Sequence, residues 1–269
     1  MKLFAISDLH LDHRINNDAL RAIPDHSDDW LVIGGDVCSG YEDFRYALAV
    51  LSARFSRLIW VPGNHELWSR IGNITERGEE KYQKLIGICR EFGVLTPEDP
   101  YPLWEGEGGT HYLVPLFLLY DYSFRPDHVS RDQAVAWANE AGIMCTDEYL
   151  LDPWPHASRI AWCHERCARA EEWIGQLPER IPKVLINHFP LRWDLARLWR
   201  IPRFSIWCGT RITESWHLRY NASVVISGHL HIRGTKYRDG IRFEEVSLGY
   251  PRDWNQRYGV EHYLRRVFP

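Results

Sequence analysis

Short apolar runs that end in polar side chains recur along this chain. Residues 2–7 (KLFAIS) form the first, Trp30 to Ile33 the second, Leu58 to Val61 the third, Val184 to Ile186 the fourth and Val224 to Ile226 the fifth. Each is only a few residues long and is bounded by polar, Gly or Pro residues, which is how a buried strand reads. Helical patterns over about 41–54 and 76–92 fall between the early runs, so the chain begins as βαβαβ. Two strand-like runs within 101–120 flank Glu105-Gly106-Glu107-Gly108-Gly109, a turn suited to a hairpin, and the sheet is expected to turn mixed there. From about 121 to 182 helical patterns dominate, notably Arg131 to Gly142 and Ala157 to Leu177, and this stretch reads as a helical insert. Strands return at 183–187, 223–227, 234–238 and 241–247, the last two joined by an Arg238-Asp239-Gly240 turn. The expectation is a single α/β domain over residues 1–269, with two sheets and flanking helices.

The residues just past each run carry the chemistry. The first run delivers Asp8-Leu9-His10, the second Gly34-Gly35-Asp36, the third Pro62-Gly63-Asn64-His65-Glu66, the fourth Asn187-His188 and the fifth Ser227-Gly228-His229-Leu230-His231. One Asp-x-His after a strand can simply cap a helix, and a lone loop histidine is usually solvated. Five such ends in one chain point to convergence, because ligands of open α/β sheets bind outside the carboxyl ends of the strands. The candidate metal ligands are therefore Asp8, His10, Asp36, Asn64, His188, His229 and His231. Carboxylate, amide and imidazole donors without thiolate favour manganese, iron, zinc or cobalt. A shared carboxylate can hold two such cations about 4 Å apart, and together they acidify a shared water.

At these residues the chain resembles the calcineurin-like metallophosphoesterases. The matching motifs are Asp8-Leu9-His10, Gly35-Asp36, Gly63-Asn64-His65-Glu66, His188 and Gly228-His229-Leu230-His231. The resemblance implies a four-layer α/β/β/α sandwich of two mixed sheets with the metals at one edge, which strand periodicity alone does not select. It also implies two metal ions (manganese, iron or zinc) as cofactors. Asp8, His10 and His231 would hold one, Asn64, His188 and His229 the other, and Asp36 would bridge them. A metal-bridging hydroxide would then attack phosphorus. His65 is implied as the catalytic residue beside the metals, stabilising developing charge or protonating the leaving oxygen. Glu66 either orients His65 or a ligand from behind, or caps the following helix.

Departures from the family pattern narrow the branch. Gly35-Asp36 continues as Val37-Cys38-Ser39-Gly40, not as the Val-Asp-Arg-Gly of serine/threonine protein phosphatases. About 40 residues follow His231, little room for the capping domain of the family's DNA-repair nucleases. Within the insert, residues 120–125 (YDYSFR), 145–148 (CTDE) and 162–164 (WCH) are similar to an actinobacterial branch associated with removing phosphopantetheine from acyl carrier protein. The expected activity is hydrolysis of a phosphate ester, a diester or a monoester, with a phosphopantetheinylated carrier protein as one candidate substrate. The alternatives are a catalytically silent binding scaffold, disfavoured by the complete ligand set, and a nuclease or nucleotide phosphodiesterase.

Composition trims these options. With 45% hydrophobic and 25% charged residues and a net charge of −4, no overall basic field favours nucleic acid or anionic membrane. The longest apolar stretch, Tyr112 to Tyr120, contains Pro115 and is too short to cross a bilayer. The first strand starts without a leader-like pattern and the six cysteines are scattered, so reduced thiols and a cytoplasmic location are expected. Cys163, His164 and Cys167 suggest zinc at first sight, but no second cysteine pair accompanies them and buried small side chains are the better account. His13, Arg14 and Arg192 lie close enough to the motifs to contact a substrate phosphate, or are ordinary surface charges. Arg192, Arg197, Arg200, Arg203 and Arg211 form a basic segment that suits a polyanionic partner or a solvated face. Tyr120, Tyr122, Phe124 and Trp154 either shape a pocket or form the core of the insert.

Overall fold

The computed structural model describes residues 1–69 and 71–268. The amino-terminal half alternates β1 (Leu3–Ile6), α1 (Arg14–Arg21), β2 (His26–Ile33), α2 (Tyr41–Ser52), β3 (Phe55–Trp60), the single turn α3 (Asn64–Leu67) and α4 (Glu79–Glu91). A hairpin of β4 (Leu103–Trp104) and β5 (His111–Pro115) leads to α5 (Ala134–Glu140), α6 (Asp147–Leu150) and α7 (Arg159–Gly175). Then come β6 (Lys183–Ile186), α8 (Trp216–Arg219), β7 (Ala222–Ser227), β8 (Gly234–Arg238), β9 (Ile241–Glu245) and β10 (Arg265–Arg266).

Two mixed sheets result. One has the order β10-β1-β2-β3, parallel except for β10, and the other β4-β5-β6-β7-β9-β8, with parallel inner strands and antiparallel edges. The apolar runs lack strict alternation because both faces of these strands are covered. Leu3, Ala5, Val32, Ile59 and Val61 of the first sheet share one core with Leu113, Val184, Ile186, Val224 and Ile226 of the second. Each of the Leu, Ile and Val side chains, once buried, contributes about 1.5–3 kcal/mol. The outward residues Ile6, Leu31, Ile33 and Trp60, and Val114, Leu185 and Val225, join the helices in a second cluster through Phe44, Leu48, Leu85, Trp162 and Trp216. Helix, sheet, sheet and helix are the four layers that the family resemblance implies. At the end of β1 the sheets meet: Ser7 N donates to the carbonyl of Val246 at 3.1 Å, and Leu248 N donates to that of Ser7 at 2.8 Å.

Several elements depart from the apolar pattern. α1 has only Asn16 and Leu20 buried, too faint an apolar stripe to register as a helix. β2 begins four residues before its apolar part, with the exposed or half-buried His26-Ser27-Asp28-Asp29, and an irregularity lies between His26 and Trp30. Residues 116–120 are apolar without being strand. They run on from β5 as buried coil, with Leu118 N donating to Asn187 Oδ1. The 121–182 stretch also divides. α7 is the crossover that a parallel β5–β6 pair requires. It is capped by Ser158 Oγ, which accepts from Ala161 N, and it buries Trp162, Cys163, Cys167 and Ile174. The part before it, with α5 and α6, is added to the alternation of strands and crossover helices, and its Ala134, Ala138 and Leu151 join the helix-side core. Among the described residues no helix is long and apolar enough to cross a membrane.

Candidate active site

The seven candidate ligands come from both sheets and meet at one edge. Asp8 and His10 follow β1, Asp36 follows β2, Asn64 opens α3 after β3, His188 follows β6, and His229 and His231 follow β7. The backbone there is unusual. Asp8, His10, Asp36, His229 and His231 all have positive φ, between 43° and 71°, a region that costs a non-glycine residue about 1–3 kcal/mol. Hydrogen bonds hold the turns: Asp8 N donates to Gly35 O at 2.8 Å and His10 N to Asp36 O at 3.0 Å. Leu9 and Leu230, between the paired donors, are buried. Gly35 has φ +90°, and a Cβ there would lie 2.8 Å from His188 Nδ1. A Cβ on Gly228 would collide with Ser7 and Asp8.

The donor atoms form overlapping groups. Asp8, His10 and His231 offer atoms within 4.8 Å of one another, so do Asp36, His188 and His229, and His10, Asp36 and His65 form a third such group that links them. In the first group His231 Nε2 lies 3.1 Å from both Asp8 Oδ1 and His10 Nε2. In the second, His188 Nε2 is 3.2 Å from Asn64 Oδ1 and 3.5 Å from Asp36 Oδ2. Asp36 lies between them, its Oδ2 also 4.0 Å from His10 Nε2.

A further layer of hydrogen bonds aims these atoms. His188 Nδ1 donates to the carbonyl of Gly34 at 2.8 Å and His231 Nδ1 to Asp253 Oδ2 at 2.9 Å, so each Nε2 faces the cluster. Asp8 accepts from Ser7 Oγ, Ser247 Oγ and His229 N. Asn64 Nδ2 donates to Asp147 Oδ1 at 2.9 Å, which turns its oxygen toward His188. Glu66 caps α3 and also orients a candidate ligand from behind. Its buried carboxylate accepts from Asp36 N and Val37 N at 2.8 Å and from Gly63 N at 3.0 Å, tying the turn after β2 to the turn after β3.

Electrostatics divides the imidazoles. Burial lowers the pKa of His10 to about 3, and burial with the neighbouring His188 does the same for His229. For His188 burial is outweighed by the Asp36 carboxylate and the pKa rises to about 10. For His231 it is outweighed by the hydrogen bond and charge of Asp8, giving about 9. Burial alone would raise both carboxylates, yet the His231 hydrogen bond holds Asp8, and the charge of His188 holds Asp36, below the usual range.

This donor set fits metal ions. His229 Nε2 is buried without a hydrogen-bond partner, and two imidazole nitrogens face each other at 3.1 Å. Nitrogen and oxygen donors without sulfur suit manganese, iron or zinc. All six cysteines are free and buried, and His164 turns away from Cys163 and Cys167 to pair with Asp121 at 2.9 Å.

His65 lies beside the cluster, half-buried, with Nε2 3.9 Å from Asp36 Oδ2. Its ring packs on Trp68 with centroids 3.6 Å apart. Trp68 Nε1 in turn donates to Asp147 Oδ1 at 2.6 Å. One buried carboxylate from the insert thus holds both Asn64 and the support of His65, a link that no strand-end pattern signals. Tyr250, stacked on His10 at 4.3 Å, and Asp253 also escape the sequence reading, although their segment follows the expected strand 241–247.

The cluster floors an open cleft of about 640 Å³. Its walls come from Met144 to Asp147 of the insert, the 198–201 segment, Phe204 and residues 250–253. His13 borders an adjoining hollow with Tyr250 and Arg252. Arg14 and Arg192, weighed as phosphate contacts or surface charges, lie away from the cleft lining. Arg14 is 94% exposed and pairs with Asp18 on its own helix. Arg192 is drawn back by Asp194 at 2.9 Å and Asp239 at 3.3 Å, and neither arginine lines the cleft. Tyr120, Tyr122 and Phe124 are buried in the packing of the insert, and Trp154 carries Arg77 on its face.

Comparison with known proteins agrees with this geometry. The calcineurin-like phosphoesterase family model matches residues 1–233. The [acyl-carrier-protein] phosphodiesterase PptH of Mycobacterium tuberculosis is 47% identical over 99% of this chain and 83% of its own length. The crystal structure of the phosphopantetheinyl hydrolase PptH from that organism superposes with a TM-score of 0.94 at 46% identity, over 100% of this chain and 96% of the other. By motif, fold and relatedness, the chain belongs to the calcineurin-like phosphoesterase family.

Proposed function

We propose that this protein is a binuclear metal-dependent phosphodiesterase that hydrolyses the phosphodiester joining phosphopantetheine to a serine of a carrier protein. The observation that carries the reading is the two donor groups, linked through His10 and Asp36, at the floor of an open cleft, in a chain related over nearly its whole length to a carrier-protein phosphodiesterase. Asp8, His10 and His231 would hold one manganese, iron or zinc ion, Asn64, His188 and His229 the second, with Asp36 common to both. When bound, two such ions neutralise phosphate oxygens and lower the pKa of a shared water.

The chain's own residues do the rest. Gly34 O and Asp253 keep the coordinating nitrogens of His188 and His231 turned inward. Glu66 fixes the turn that carries Asp36. His65, braced by Trp68, gives a proton from Nε2 to the serine oxygen as its bond to phosphorus breaks and the water oxygen bonds to phosphorus. The products are free phosphopantetheine and a carrier protein with its serine hydroxyl restored. Six buried, unpaired cysteines support a cytoplasmic setting.

The test is incubation of the manganese-loaded protein with holo acyl carrier protein, read by mass spectrometry of the carrier. Loss of the phosphopantetheine mass is expected. Hydrolysis of bis(p-nitrophenyl) phosphate with no change in the carrier would keep the phosphodiesterase and reject the substrate.

A further inference from the structure

The cleft has a mouth as distinctive as its floor. Trp199 is 96% exposed and stands on the wall of the cleft beside Arg200, with Met144 of the insert 68% exposed on the same cleft and Ile201 at 36%. An indole in this position leaves a large apolar area in water that nothing in the fold covers. The neighbouring arginines of the basic segment are occupied. Arg197 lies over Trp193, Arg203 pairs with Glu140 and Arg211 with Glu214. Among the described residues Arg200 pairs with no carboxylate, and Arg252, also on the cleft, pairs with Asp253 at 3.7 Å while its side chain stays 82% exposed. The chain as a whole carries a net charge of −4, so this mouth is basic against an acidic background.

We propose that the Trp199-Arg200 rim, with Met144 and Arg252, is the docking surface for the carrier protein, which presents carboxylates around an apolar contact while its prosthetic arm reaches the metal floor. The proposal rests on the carrier-protein reading of the site. That substrate bears the scissile phosphodiester on its own serine, so its folded surface must come to rest against whatever surrounds the cleft. Tryptophan and arginine are the side chains that most often dominate such contacts. Local positive charge in a chain of negative net charge discriminates an acidic partner from others and speeds its encounter.

The experiment compares the metal-loaded wild type with a Trp199→Ser, Arg200→Glu double variant on two substrates, holo acyl carrier protein and bis(p-nitrophenyl) phosphate. The expected result is a rise in KM for the carrier of about 10- to 100-fold, with kcat/KM for the small diester within about twofold of wild type. A carrier KM within twofold of wild type overturns the docking surface and leaves the substrate reading standing. Proportional loss on both substrates also overturns it, because the rim would then serve the floor or the fold. A wild type that cleaves the small diester and never the carrier overturns the substrate reading, and the docking surface with it.

Discussion

The floor and the rim of the cleft are built on opposite principles. On the floor, Asp8, His10, Asp36, Asn64 and His188 are buried, and the hydrogen bonds of Asp8, Asn64 and His188 leave their coordinating atoms aimed at the cluster. On the rim, Trp199 and Met144 stand in water, and Arg200 has no carboxylate partner among the described residues. A floor of this kind keeps its geometry whatever enters, because five of its residues hold costly left-handed conformations that only the surrounding hydrogen bonds maintain. A rim of this kind has no geometry to defend and is defined by the partner it meets. With metals on the floor and the carrier on the rim, as proposed, substitutions should separate the two.

The largest expected effect comes from Asp36, the carboxylate proposed to bridge the two ions. Asp36→Asn keeps the volume and removes the charge that would hold two cations together. Losing that support for the second ion should cost about 5 kcal/mol of transition-state stabilisation, or roughly 10⁴-fold in kcat/KM for any phosphodiester. Metal analysis should show fewer than two ions per chain. Retention of both ions and of the rate would remove Asp36 from the bridging position. His65→Ala is the sharper contrast. It should lower kcat by about 10²- to 10³-fold while leaving metal content intact, since the proposed role of His65 is proton transfer and not coordination. Loss of metal in this variant would make His65 a ligand.

Asp147 tests whether the floor ends where the strands do. Its carboxylate accepts from both Asn64 Nδ2 and Trp68 Nε1, so Asp147→Ala frees a ligand and the brace of His65 together. Metal affinity at the Asn64 side should weaken about 10- to 100-fold, the range usual for such supporting groups. Asp147→Asn, which keeps one acceptor oxygen, should recover most of it. Equal affinities in all three proteins would reduce Asp147 to a packing residue of the insert.

Legibility in the chain divides along the same boundary. The seven donors can be read because each stands just past a short apolar run, and a parallel sheet sends all such ends to one edge. The two sheets come from those runs, and the four-layer arrangement from the family resemblance. The residues that escape lack that grammar. Asp147 sits after no strand, and its role depends on a contact across 83 residues. Arg192 lies at close range to a motif, but its direction is set by Asp194 two residues on and by Asp239 on a distant hairpin. Proximity in sequence predicts where a residue's backbone goes and says little about which charge captures a long side chain.

A change of pH probes the floor's electrostatics directly. In the metal-free protein His188 titrates at about 10, because Asp36 outweighs the cost of burial, and His231 at about 9, through Asp8. Both therefore carry a proton at pH 7, whereas His10 and His229, at about 3, carry none. A metal ion must displace the proton on His188 in one group and on His231 in the other. Apparent affinity should then rise with pH, about tenfold per unit for each competing proton, and should level off only as pH passes about 9 for the His231 group and about 10 for the His188 group. Between pH 6 and 8 the gain is about 100-fold for each ion, measurable by competition with a chelating indicator after correction for the indicator's own protonation. Affinities independent of pH over that window would mean that the imidazoles are already neutral, and that the carboxylates of the floor are screened in a way its hydrogen bonds do not provide.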